Sequence, residues 1–245
     1  MRGNATNFQS FRPMRTRLIL TAFFALALAP AMAQSAAEDT EQTACRQLFD
    51  PELISVMALP VQPSVDVSLD TRALTTLEGK PAGQRVLGRT TARLRNSSAY
   101  KTRIQKLPGG RICARPGVTV TLSYEPTIIF VGSEYPAGSC EYRKIIEHEQ
   151  RHVAMHALHL EELTPLLQAD LREFYAHATL VFELPASALQ YFQTGTQTVI
   201  RERIKQMSAD AHARQAGVDS SEEIGKMSAL RKLCATENAP PSGGR

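Results

Sequence analysis

The sequence has no C-x-x-C pair, no internal repeat and, beyond its first 33 residues, no apolar run able to span a membrane. The first absence removes the common cysteine signatures of structural zinc and redox sites. The second removes solenoids and repeat arrays, and the third argues against an integral membrane protein. A surplus of charge is missing as well. Residues 1–33 hold four arginines and no acid, and the rest of the chain balances 24 basic against 24 acidic residues. The sequence pI near 9.0 is therefore a property of that leading segment and gives no reason to expect nucleic acid as a partner.

What is present begins with an address. Arg12, Arg15 and Arg17 precede an apolar run from Leu18 to Ala29, and Ala31-Met32-Ala33 supplies a small-x-small cleavage pattern. Residues 1–33 are expected to be a signal peptide cut before Gln34, and the remainder to be exported, periplasmic or secreted. Residues 34–54 read as an N-terminal extension, 55–234 as one domain with a real core, and 235–245, rich in Pro, Gly and Ser, as a disordered tail. Four cysteines, Cys45, Cys113, Cys140 and Cys234, suit an oxidising compartment. Of their three pairings the expected one joins Cys113 to Cys140 across the segment before the motif helix, and Cys45 to Cys234 across the ends.

The first half reads as sheet. Val65, Val67 and Leu69 alternate in a strand at residues 64–69, and Asp70 caps a short helix to about Leu77, stopped by Gly79 and Pro81. Further strands fall at 88–95, 99–107 and 118–130, broken by Asn96-Ser97, Pro108-Gly109-Gly110 and Pro126. The half-wet strand from Val118 to Ser123 offers an edge to an extended peptide if it borders a cleft. After Cys140 the chain is helical, with restarts expected at Pro165 and Pro185, a stretch reaching toward His212, and a last helix entered at Asp219 with Ser220 and Glu223 spaced as a capping box. The expected fold is α+β, a small antiparallel sheet packed on the motif helix, with a helical C-terminal half.

The motif is His148-Glu149-Gln150-Arg151-His152. On a helix, residues four apart share a face, so His148 and His152 converge on one metal ion while Glu149 stands ready as a general base that is not a ligand. The bland alternative is a solvated helix face. A catalytic zinc ion needs a third protein ligand. His156 lies too far along the helix to join His148 on one ion, so His156 and His159 are expected to be solvated or to stand behind the ligands. The long motif with a third histidine is absent, since Met155 and Leu158 occupy its glycine and histidine positions. Glu173 is available for an arrangement that uses a downstream glutamate.

The run from Cys140 through His156, with Gln215-Ala216-Gly217-Val218-Asp219 and Glu222, resembles a family of secreted bacterial proteins, a domain of unknown function described as predicted zinc-dependent proteases. That family pairs His-Glu-x-x-His with a downstream Gln-x-x-x-Asp-x-x-Thr/Glu, over a span that here covers about residues 64–233. The resemblance implies a zincin-like fold and makes Asp219 the third ligand, with Glu222 or Glu173 as alternatives; helix capping by Asp219 stays open beside it. Some members carry a histidine after the aspartate where this chain has Ile224. The implied activity is zinc-dependent hydrolysis of a peptide or protein substrate. For that chemistry an oxyanion donor is needed beside the ion, and Tyr175 or His177 is the residue expected in that place. The competing expectation is a metal-binding or cell-envelope interaction protein without turnover.

Overall fold

A strand of 14 residues, β6 (Val118–Val131), is the axis of the main sheet in this computed structural model, which describes residues 39–48, 50, 53–80, 84–220, 227 and 229–237. The expected signal peptide and residues 238–245 of the tail lie outside the described residues. Contacts group Gln42–Arg245 as one unit and Met1–Glu41 as another; the elements below belong to the first of these.

Two short strands, β1 (Ile54–Ala58) and β2 (Pro63–Asp66), lie end to end along one side of β6 and parallel to it. On its other side β3 (Gly88–Tyr100) runs antiparallel along the full length. This sheet is mixed; with the small antiparallel sheet beside it and the helices that follow, the fold is α+β with a helical C-terminal half, as expected. Of the strands in the mixed sheet only β3 comes between β2 and β6, and it runs against both, so β6 shares the direction of β1 and β2. A second, antiparallel sheet has the order β4 (Arg103–Lys106), β5 (Ile112–Arg115), β7 (Val181–Phe182).

Several expected breaks are absent. β3 runs through Asn96-Ser97, because Asn96 pairs with Leu122 and Ser97 with Thr121 in a ladder that outweighs local turn preference. β6 runs through Pro126, opposite a bulge between Ala92 and Leu94, so the missing proline N–H falls where the ladder is already interrupted. Since β6 has partners on both sides at residues 118–122 and 127–130, it offers no open edge there for a peptide. The short helix is as expected: α1 (Thr71–Leu77) has Asp70 as its N-cap, accepting from the Ala73 amide at 2.7 Å, and Gly79 past its end at φ 61°.

Two long antiparallel helices form the other layer. Ser139 caps α2 (Cys140–His177), which continues through Pro165 where a new helix was expected. Buried Leu160 and Leu163 before the proline and Leu167 and Leu171 after it keep one apolar stripe in register, and that burial outweighs the roughly 3 kcal/mol cost of an interior proline. Pro185 does begin a helix, α3 (Pro185–Val218), after Leu184. The pair is tied along its length by Tyr175 to Thr196 (2.7 Å), Asp170 to Arg203 (2.5 and 2.6 Å) and Glu162 to Arg214 (2.7 Å). Gln168 of α2 covers part of the outer edge of β1, accepting from Val56 N at 2.6 Å and donating to Ile54 O at 2.5 Å. The last helix, α4 (Leu230–Glu237), extends three residues past Cys234 into the expected tail. Glu223 of the expected capping box lies outside the described residues.

The disulfides are Cys45–Cys113 and Cys140–Cys234, which corrects the expected pairing. Cys113 and Cys140 are only 27 positions apart, but β6 lies between them and spans roughly 40 Å at about 3.3 Å per residue. Each bridge serves its own end of the sheet. Cys45 and Cys113 belong to the larger core with Val120, Leu122, Leu163, Leu167 and Phe192. Cys140 and Cys234 belong to a smaller core with Ile129, Val131, Ile145 and Leu230.

Candidate metal centre

Antiparallel packing of α2 and α3 converts two sequence spacings into one site. His148 and His152 lie four apart on α2, Gln215 and Asp219 four apart at the end of α3, so each pair forms one face and the faces meet. Asp219 Oδ1 lies 3.2 Å from Nε2 of His148 and 3.2 Å from Nε2 of His152. The three ligand atoms fall within 4.8 Å of one another, forming a group able to hold a metal ion. Ligand atoms at about 2.0–2.2 Å from a tetrahedral ion stand roughly 3.3–3.6 Å apart, so the observed separations need little adjustment. Both imidazoles are largely enclosed, whereas the Asp219 side chain is 56 % exposed, which leaves the site one wet side.

The surroundings orient these groups. Gln215 Nε2 donates to His152 O at 3.1 Å, which turns Oε1 toward His152 Nδ1 at 2.7 Å. His152 therefore donates from Nδ1 and presents Nε2 to the site, the arrangement usual for a metal-bound histidine. Burial lowers the His152 pKa, but hydrogen bonds to Asp219 and Gln215 and the charges of Glu149 and Asp219 outweigh it and raise the value overall. Hydrogen bonds from His148 and His152 hold Asp219 well below the usual carboxylate range. Asp219 is the C-cap of α3, so its carboxylate sits at the negative end of that helix dipole, and the first turn of the helix expected to follow it falls on residues outside the described ones. A cation bound there relieves the repulsion, which makes the donor set suitable for a metal.

His148 is held differently. Arg151 Nη2 lies 3.1 Å from its Nδ1, and a guanidinium can only donate, so Nδ1 accepts and the ring proton sits on Nε2 facing Asp219. Ligation through Nε2 requires that proton at Nδ1 instead. Arg151 thus competes with a metal ion for one tautomer of His148.

Glu149 is buried, at 3 % exposure, beneath the start of β3. Thr90 donates from Oγ1 to Glu149 Oε2 at 2.8 Å. Two residues earlier on the same face, a Cβ on Gly88 would stand 2.4 Å from Ile145 Cγ2 and 2.9 Å from Glu149 Oε1, so only glycine allows strand and helix this close. Burial raises the Glu149 pKa; the Thr90 hydrogen bond and the neighbouring histidines lower it in part, and Asp219 adds to the rise. Sequence reasoning missed Gly88 and Thr90. The one available signal was a glycine at the head of a strand pattern, which marks close backbone approach.

The other expected participants lie elsewhere. Tyr175 and His177 are roughly 40 Å along α2 from His148, and Glu173 about as far, too distant to act at this centre. Tyr175 is a core residue bonded to Thr196, while Glu173 and His177 are exposed. Glu222 lies outside the described residues. His159 is buried rather than solvated, its Nδ1 2.7 Å from the Tyr124 hydroxyl, because α2 presses that turn onto β6. His156 packs against Tyr124 with ring centroids 4.3 Å apart and planes tilted by 40°, and touches Gln215 Nε2 at 3.2 Å, which places it behind His152.

Comparison with protein-family models, with curated proteins and with solved structures returns no match for this chain. The fold and site define an α+β protein in which two antiparallel helices bring two histidines and an aspartate together beside a buried glutamate. Its two disulfides fit an oxidising compartment, and among the described residues no helix is long and apolar enough to cross a membrane.

Proposed function

We propose that the protein is an exported zinc-dependent peptidase in which His148, His152 and Asp219 hold the ion and Glu149 is the general base. The supporting observation is the placement of Glu149: next in sequence to a ligand, buried, and fixed by Thr90, yet outside the His-His-Asp group. Zinc, when bound, supplies Lewis acidity, acidifying water and polarising a carbonyl oxygen. The raised pKa of Glu149 brings it nearer neutrality, where a carboxylate takes up and returns a proton most effectively. Thr90 occupies Oε2, which leaves Oε1 to carry that proton. A peptide is the expected substrate because an amide needs both proton transfers, to the base and then to the leaving nitrogen.

The loss of Tyr175 and His177 as oxyanion donors favours one rival, a metal-binding envelope protein without turnover. The deciding experiment is metal analysis of the purified protein followed by hydrolysis of a diverse peptide library by wild type and Glu149→Gln. The peptidase reading expects zinc in both and a rate loss of at least about 10²–10⁴-fold in the variant. Zinc in both with no cleavage by wild type leaves the rival, and equal cleavage by both removes Glu149 as the base.

A further inference from the structure

Residues 79–124 contain ten lysines and arginines and no acidic residue, while the rest of the chain has 18 basic and 24 acidic residues. This stretch supplies β3, β4, β5 and the first half of β6. Charge is thus segregated onto one region of the sheets. Arg89 is paired with Glu78 at 2.5 Å and Arg95 donates to the Glu125 carbonyl at 2.8 Å, but Lys101, Arg103 and Lys106, on and beside β4, are exposed to solvent.

Beside these three cations lies a groove of about 330 Å³ lined by Tyr100, Thr102, Ile104, Pro185, Ala186 and Leu189. Its lining is largely apolar and partly open to water, with Ile104 at 48 % and Leu189 at 40 % exposure. Next to it Leu184 is 60 % exposed. Two further features share its walls. β4 pairs only with β5, so among the described residues its outer edge has no strand partner, and all four of its residues are exposed. The first turn of α3 has neither a side-chain cap nor an acidic residue, so the positive end of a 34-residue helix stands at Pro185 and Ala186.

We infer that this groove is a docking site for an extended acidic protein segment with an apolar anchor, separate from the metal centre. The open edge of β4 offers backbone hydrogen bonds to an extended chain, which selects a peptide. The groove takes an apolar side chain every second residue. Lys101 and Arg103, which alternate along the chain with the groove residues Thr102 and Ile104, select carboxylates at the positions between, while Lys106 and the α3 terminus favour negative charge on the groove side. Glu183, exposed and two residues before Pro185, opposes such a ligand.

The test uses the full oxidised protein and a fluorescein-labelled nonapeptide of alternating valine and glutamate, with a valine and lysine counterpart, read by anisotropy. The acidic peptide is expected to bind at least about tenfold more tightly than the basic one, and to weaken as NaCl shortens the Debye length from about 14 Å to about 4 Å. Ile104→Asp removes the anchor and the triple change Lys101→Gln, Arg103→Gln and Lys106→Gln removes the cations; each is expected to weaken binding at least about tenfold. Glu183→Gln is expected to tighten it. All five positions are exposed, and the milder Ile104→Ala repeats the anchor test should Ile104→Asp disturb the fold. Glu149→Gln is expected to bind like wild type, so the result does not depend on the peptidase reading. Equal binding of both peptides, or unchanged binding in the cation variant, overturns the inference. So does binding to phosphatidylglycerol vesicles without binding to the peptide, which marks a membrane-facing surface instead.

Discussion

Thr90 on β3 donates a 2.8 Å hydrogen bond to the carboxylate of Glu149 on α2, and with it the sheet, rather than the motif helix, decides where the buried acid points. Gly88 makes the contact attainable by letting the strand approach, and Ile145 and Glu149 fill the space that any larger residue would take.

Thr90→Val keeps the volume but removes the donor, leaving a buried carboxyl oxygen without its partner. The expected loss of stability is about 1–3 kcal/mol. Gly88→Ala is expected to cost a similar amount, since its Cβ must displace Ile145 Cγ2 from 2.4 Å. Chemical denaturation of the metal-free protein measures both. Wild-type stability in both variants means that strand and helix do not meet as described.

The contrast between what could and could not be read beforehand follows the reach of each signal. Asp70, Gly79, Pro185 and the spacing of His148 with His152 act over a few residues, and each had the local consequence expected. Asp219 came forward as a candidate only through the resemblance, and its place beside the two histidines makes sense only once α3 is seen to run antiparallel to α2, because Asp219 lies 67 residues beyond His152. Long-range pairing decided the rest. Asn96 and Pro126 did not break their strands because β6 and β3 hold each other, and the cysteines paired by sheet end instead of by proximity in sequence. Pro165 misled for the same reason: four buried leucines, two on each side, outweigh one missing amide.

Removing Asp219 or Gln215 should separate ligation from support. Asp219→Ala takes away the proposed third ligand, the only carboxylate in the His-His-Asp group, so zinc affinity is expected to fall by far more than the roughly 10–100-fold typical of a supporting residue. Gln215→Leu removes the acceptor at His152 Nδ1 and is expected to fall within that 10–100-fold range. Isothermal titration with zinc orders the two. Equal losses would assign Asp219 a supporting part.

Arg151 should act in the opposite sense. Because its hydrogen bond to His148 Nδ1 selects the tautomer that cannot ligate through Nε2, Arg151→Ala is expected to bind zinc several-fold more tightly than wild type, a change on the order of 1 kcal/mol for one hydrogen bond. An unchanged or weaker affinity in the same titration shows that the arginine does not hold that tautomer.

The last prediction concerns acid stability and the histidines behind the ligands. Burial first, then the charges of His152 and His159, bring the pKa of His156 down from 6.5 to about 4. His159 is lowered too, by burial first and by Arg214 and His212, against Glu162. Around them stand Tyr124, whose own pKa burial raises to about 12, and Gln215. Between pH 6.5 and about 4 the unfolded chain binds more protons at these histidines than the folded one, so their contribution is fully present above about 6.5 and is lost as pH falls through that window. His152, with a raised pKa, keeps its contribution throughout this range, and Asp219 loses its own only below it. Glu149 slopes the other way, gaining stability toward acid because its folded pKa is raised, but it does so in wild type and variant alike. His156→Phe preserves a ring against Tyr124 and removes one titrating group. The melting temperature of the metal-free wild type, compared with the variant at each pH, is therefore expected to fall more steeply from pH 6.5 to 4; parallel curves would mean that His156 is free to protonate where it stands.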